Sequence, residues 1–79
     1  MLQIYVASHC PNCDEAVRLA RVASRLFPRL LVEVVDLDQS PSEVAEVFAV
    51  PTYVLNGRVC FLGNPSEEEL CQILARLTP

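Results

Sequence analysis

Apolar positions along this chain change rhythm several times, and each change marks a new element. Residues 2–7 (Leu2, Gln3, Ile4, Tyr5, Val6, Ala7) make a short, almost unbroken apolar run, the pattern of a buried strand. From Pro11 the spacing becomes helical: Ala16, Val17, Ala20, Ala23 and Phe27 recur on one side, and Arg18, Arg21 and Arg25 fall on the wet side. Pro28 stops the run, so a helix is expected over residues 11–27. Residues 30–36 return to a valine- and leucine-rich strand that only Glu33 interrupts, which predicts a strand covered on both faces. Strand, helix, strand implies a parallel pair joined by a right-handed crossover. After a turn at residues 36–39, Ser40-Pro41-Ser42-Glu43 reads as a capping box with proline at the first helical position. It opens a short helix through Val44, Val47 and Phe48 that ends near Ala49.

The second half carries the clearest antiparallel signal. Residues 52–55 and 58–62 flank Asn56-Gly57, a dipeptide that supplies the positive φ angles of a two-residue hairpin turn. Gly63 then breaks the strand. Asn64-Pro65-Ser66-Glu67 repeats the capping-box logic with Asn64 as cap, and Leu70, Ile73, Leu74 and Leu77 form one apolar stripe of a last helix. Glu67, Glu68 and Glu69 complement the helix dipole in its first turn.

Placed on these elements, Ser8-His9-Cys10-Pro11-Asn12-Cys13 stands where the first strand ends and the first helix begins. Proline suits the first helical position, which puts Cys10 at the helix N-terminus. Unpaired N–H groups and the positive end of the dipole favour an anion there, and the thiolate is the form of cysteine that attacks disulfides and binds metals. Cys13, three residues on, is about 5–6 Å away on the same face, within the span of a disulfide. The spacing by itself serves a redox dithiol or half of a metal knuckle, since one Cys-x-x-Cys provides only two of four ligands. Asp14 and Glu15 oppose a thiolate by about 1 kcal/mol or less in water, while local N–H groups and the dipole favour it by up to about 2 kcal/mol. Cys60 and Cys71 lack the spacing of a second knuckle. They read as small buried hydrophobes, with a second disulfide or a regulatory thiol as the other readings.

Totals narrow the picture further. At 79 residues the chain is read as one domain, 1–79, with a thin core. A hydrophobic fraction of 52% with only two glycines argues for a folded chain. Six basic against ten acidic residues give a net charge of −4, with no basic run, which disfavours a nucleic-acid partner. No charged leader precedes the first strand, and no apolar run approaches the roughly 18–20 residues that span a bilayer. A soluble cytoplasmic monomer is expected. In a reducing compartment four cysteines point to catalysis or metal binding rather than structural staples.

The order strand, helix, strand, short helix, hairpin, helix, with Cys10-Pro11-Asn12-Cys13 opening the first helix and Val50-Pro51-Thr52 opening the hairpin, resembles the thioredoxin/glutaredoxin superfamily over the whole chain. At this length it is similar to a small glutaredoxin-like thioredoxin. The resemblance implies an α/β minimal thioredoxin fold, β-α-β-α-β-β-α, with a four-stranded mixed sheet and helices on both faces. It implies a thiol-disulfide oxidoreductase that reduces protein disulfides, with Cys10 and Cys13 as the catalytic pair and no cofactor. Pro51 matches the family's cis proline, which lies against the cysteines. If the third strand runs antiparallel to the first, Val50, Pro51 and Thr52 start it beside Cys10, where the Val50 backbone is able to pair with a peptide substrate. Pro11 resembles the redox-active version of the motif. His9 stands where many thioredoxins have an aromatic residue, either tuning Cys10 through a partly charged imidazole or lacking a proton role.

Two departures from the family pattern stand out. The first strand has no buried acid to serve as the proton acceptor for Cys13. Where glutaredoxins carry a Gly-Gly turn and an acid that hold glutathione, this chain has Gly63-Asn64-Pro65-Ser66, and it has no lysine near the first cysteine or anywhere else. Gly63-Asn64 more simply breaks a strand and caps a helix. Protein disulfides are therefore ranked above glutathione as substrate, with an upstream reductase or glutathione as electron donor. A glutathione-dependent glutaredoxin and an iron–sulfur or other metal carrier using the same cysteines are the alternatives.

Overall fold

Residues 1–7, 10–39 and 50–77, those the computed structural model describes, form strand β1 (Leu2–Val6), helix α1 (Cys13–Leu26), strands β2 (Val32–Asp36), β3 (Thr52–Leu55) and β4 (Arg58–Leu62), and helix α2 (Glu67–Leu77). The short helix expected after Ser40 lies outside the described residues, as does His9. The sheet has the order β2-β1-β3-β4, with β1 parallel to β2 and antiparallel to β3, and β3 antiparallel to β4. This is the mixed four-stranded α/β sheet that the element order implied.

Alternation along the two central strands builds the core. Leu2 pairs with Leu55 and Ile4 with Tyr53, so these four share one face. There, with Val6, they meet Ala16, Leu19, Ala20 and Ala23 of α1 and Leu70 and Leu74 of α2. The opposite face of the same strands buries Tyr5, Thr52 and Val54 as well. Both described helices lie on the first face; the helix expected on the other falls outside the described residues.

Three sequence expectations change at the margins of this core. Residues 30–36 do not form a strand covered on both faces: β2 begins at Val32 and is an edge strand, and Leu31 and Val34 are 70% and 41% exposed. An edge has one neighbouring strand and only the rim of the helical layer, which a run of valines does not reveal. The stripe of α2 stops at Leu74, and Leu77 reaches past the sheet, lining an open groove with Met1 and Leu26. Leu19, absent from the expected stripe of α1, is fully buried.

Turn chemistry behaves as expected in the hairpin, where Asn56 (φ 51°) and Gly57 (φ 85°) take the positive angles that connect β3 to β4. Farther along, the register slips: Tyr53 pairs with Phe61 but Val54 with Val59, leaving Cys60 in a bulge with its Sγ donating to the Tyr53 carbonyl at 3.4 Å.

The cap of α2 sits two residues later than the sequence suggested. The Glu69 N–H donates to Ser66 Oγ at 3.0 Å, and the Ser66 N–H donates back to Glu69 Oε1 at 2.9 Å, a reciprocal capping box. Replacing Ser66 by alanine is expected to cost about 1 kcal/mol in urea unfolding, and glycine only a few tenths. The Ser66 backbone N–H and then its hydroxyl hold the Glu69 carboxyl below its ordinary range. The contribution of that carboxylate is present in full above the ordinary range and is lost as pH falls through the lowered value. Glu69→Gln is therefore expected to be less stable than the wild type at neutral pH and to converge with it on acidification.

Candidate active site

Where β1 ends and α1 begins, Cys10 and Cys13 are joined as a disulfide with their Cα atoms 5.3 Å apart. The helix starts later than the proline signal implied. Pro11 and Asn12 form a turn, Asn12 is the N-cap residue, and Cys13 is the first helical residue, so Cys10 precedes the helix instead of capping it. The turn is closed by the Cys13 N–H, which donates to the Cys10 carbonyl at 3.2 Å. The side chain of Asn12 makes no capping bond to the helix. The two sulfurs are unequal in access: Cys13 is only 7% exposed, while Cys10 lies partly buried at the margin of the core with the exposed Pro11 and Asn12 beside it.

Across the sheet, β3 begins beside the end of β1, because Thr52 pairs with Tyr5. The Val50–Pro51 peptide is cis. Pro51 and Thr52 are fully buried and Val50 packs against the same core cluster as Cys10. The Pro51 carbonyl accepts from the Gly63 N–H at 2.8 Å, and Gly63 has φ of 87°, a conformation that suits glycine. Of the residues singled out from the sequence, Cys10, Pro11, Cys13, Val50, Pro51 and Thr52 thus gather at one end of the sheet; His9 lies outside the described residues. Among the described residues no carboxylate is buried.

Glu15, two residues after Cys13, is tied into an ion-pair network. Arg18 binds Glu15 at 2.6 and 2.8 Å and reaches Glu67 of α2 at 3.1 Å. The Arg18 guanidinium holds the Glu15 carboxyl below its usual range and offsets its charge next to the cysteines. Cys60 and Cys71 are both free thiols, and burial pushes the Cys60 thiol up.

Sequence reasoning missed a second layer. Asn64, expected to cap α2, instead donates from Nδ2 to the Asn12 carbonyl at 2.8 Å, while its Oδ1 accepts from the Tyr53 hydroxyl at 2.7 Å. An asparagine before proline and serine is a cap signal locally, and nothing in its immediate neighbours points to a partner 52 residues away.

Comparison with known proteins agrees with this geometry. Residues 1–75 match the family model described as a thioredoxin domain. A thioredoxin of Methanocaldococcus jannaschii is 31% identical over 78 residues, covering 95% of this chain and 92% of that protein. A probable thioredoxin of Methanothermobacter thermautotrophicus is 30% identical over 76 residues, covering 92% and 89%. Among solved structures, oxidised thioredoxin O2 from Arabidopsis thaliana superposes with a TM-score of 0.72 at 19% identity, covering 99% of this chain and 74% of that one. Reduced Escherichia coli glutaredoxin superposes with a TM-score of 0.62 at 18% identity, covering 96% and 94%.

Proposed function

The chain belongs to the thioredoxin family and is a thiol-disulfide oxidoreductase, and from that premise we propose that it reduces protein disulfides with Cys10 as the attacking thiolate. The observation that carries this assignment is the unequal exposure of the bridged pair, with Cys13 shielded at 7% and Cys10 at the margin. In the reduced protein the Cys10 thiolate attacks one sulfur of a substrate disulfide, forming a mixed disulfide and expelling the other substrate sulfur as thiolate. Cys13, deprotonated, then attacks the Cys10 sulfur, closes the internal bridge and releases the second substrate thiolate. Two electrons pass from the dithiol to the substrate, and the two cysteine protons end on the substrate thiols.

Val50 offers the docking edge, and the buried Pro51 and Thr52 set its place at the start of β3. The partly buried Val50 backbone, beside the start of β3, offers pairing groups to an extended peptide that carries the target disulfide. Pro11 keeps the turn between the sulfurs compact, and His9 either tunes Cys10 through a partly charged imidazole or has no proton role. An upstream dithiol reductase returns the pair to its reduced state in the cytoplasm. Both sulfurs and the docking edge come from one chain, so a monomer suffices, and no described helix is long and apolar enough to cross a membrane.

The test is reduction of insulin disulfides coupled to NADPH, with thioredoxin reductase or with glutathione and glutathione reductase as the electron source. Turnover with the first and little with the second is the expected result; full turnover with glutathione alone would reverse the ranking of protein disulfides over glutathione.

A further inference from the structure

The geometry points to Asn64 as a positioning residue for the dithiol, acting through the peptide that joins Asn12 to Cys13. This rests on the assignment of Cys10 as the attacking sulfur and extends it to a residue that touches neither sulfur nor substrate.

The orientation of the Asn64 amide follows from its partners. A carbonyl only accepts, so the group facing the Asn12 carbonyl at 2.8 Å is the amide nitrogen; the amide oxygen therefore faces Tyr53, whose hydroxyl donates at 2.7 Å. Tyr53 is a fixed anchor. It is fully buried in β3, two residues after Pro51, and stands edge-on to Phe61 with ring centroids 6.0 Å apart. Burial keeps its phenol protonated and so a donor.

What Asn64 holds is the turn between the sulfurs. In a planar trans peptide the C=O and N–H point in opposite directions. Fixing the Asn12 carbonyl therefore fixes the direction of the Cys13 N–H, which closes the turn onto the Cys10 carbonyl at 3.2 Å. The Asn12 carbonyl also receives the Ala16 N–H, at a longer 3.3 Å, so Asn64 is its closer donor. One residue earlier, the Gly63 N–H holds the Pro51 carbonyl at 2.8 Å. Two successive residues of the β4–α2 connection thus fasten the turn between the cysteines and the Pro51 segment at the start of β3, one through each carbonyl. Asn64 is free for this because Ser66 and Glu69 cap α2 without it.

The Asn64 bond holds the middle of the disulfide's closed turn; opening the bridge frees torsions at both cysteines, so the dithiol should depend on the tether less. Removing Asn64 should therefore penalise the disulfide more than the dithiol. In redox buffers of reduced and oxidised glutathione, Asn64→Ala is expected to shift the equilibrium toward the dithiol roughly fivefold, about 20 mV more oxidising. Tyr53→Phe, which keeps the ring but removes the donor that orients the amide, should shift it the same way by less, and the double variant should equal Asn64→Ala rather than the sum. Asn64→Asp sets an acceptor and a negative charge against the Asn12 carbonyl, so the pH profile of Cys10 alkylation in the reduced protein should move to higher pH than in Asn64→Ala. If Asn64→Ala and Tyr53→Phe keep the wild-type equilibrium and alkylation profile while only the unfolding midpoint falls, Asn64 is a structural tether and the proposal fails. Failure of the underlying assignment looks different: reductase activity that survives loss of Cys10, whatever Asn64 does.

Discussion

Cys10→Ser is expected to reduce protein disulfides no faster than the uncatalysed background, whereas Cys13→Ser attacks once and stays joined to its substrate. A serine hydroxyl does not ionise near neutral pH, so the first variant has no nucleophile at the accessible position. Its remaining motif sulfur, Cys13, is 7% exposed and poorly placed to meet an incoming disulfide. The second variant retains the attacking sulfur but lacks the one that resolves the mixed disulfide. Mass analysis after mixing reduced Cys13→Ser with a disulfide-bonded peptide should show one peptide adduct per chain, mapped to Cys10. Cys60 serves as an internal comparison, because burial pushes its thiol up and its Sγ is engaged with the Tyr53 carbonyl. Adducts found chiefly on Cys60 or Cys71, or reductase activity retained by Cys10→Ser, would contradict the assignment.

Leu70→Ala should cost about 2–5 kcal/mol, a large part of the roughly 4–12 kcal/mol that a chain of this length possesses. Leu70 is fully buried where α2 meets the sheet and α1, within the cluster that includes Ile4, Leu19 and Tyr53. Truncation leaves a cavity among elements that cannot all close around it. A drop in thermal midpoint of roughly 10–30 °C follows. Leu62→Ala, at a position 58% exposed in β4, should change stability by about 0.5 kcal/mol or less. Comparable losses in the two variants would mean that the core is not centred where the helices cross β1 and β3.

Much of the site was legible because its signals are short-range. Cys10-Pro11-Asn12-Cys13 after an apolar strand, and Pro51 before the hairpin, each announce themselves within a few residues, and the antiparallel order of β1 and β3 brings them together. Asn64 was legible as the wrong thing. Its local context reads as a helix cap, and only the packing of the β4–α2 connection against the redox turn diverts its side chain to Asn12 and Tyr53. The cap passed to Ser66, which satisfies the same rule two residues nearer the helix. Edge position was equally hidden: residues 30–36 carry the composition of a covered strand, yet β2 has a neighbour on one side only.

Among the described residues the sequence by itself determined the order of strands and helices, the hairpin turn at Asn56-Gly57 and the closeness of Cys10 and Cys13, since backbone propensity, turn angles and short chain separation act between residues a few positions apart. Tertiary structure alone decided which sulfur is shielded, which strand lies at the edge and what Asn64 binds. Those outcomes depend on surfaces brought together from distant parts of the chain, 30 positions apart for β1 and β2 and 52 for Asn12 and Asn64, and burial and hydrogen-bond partnership exist only once those surfaces meet.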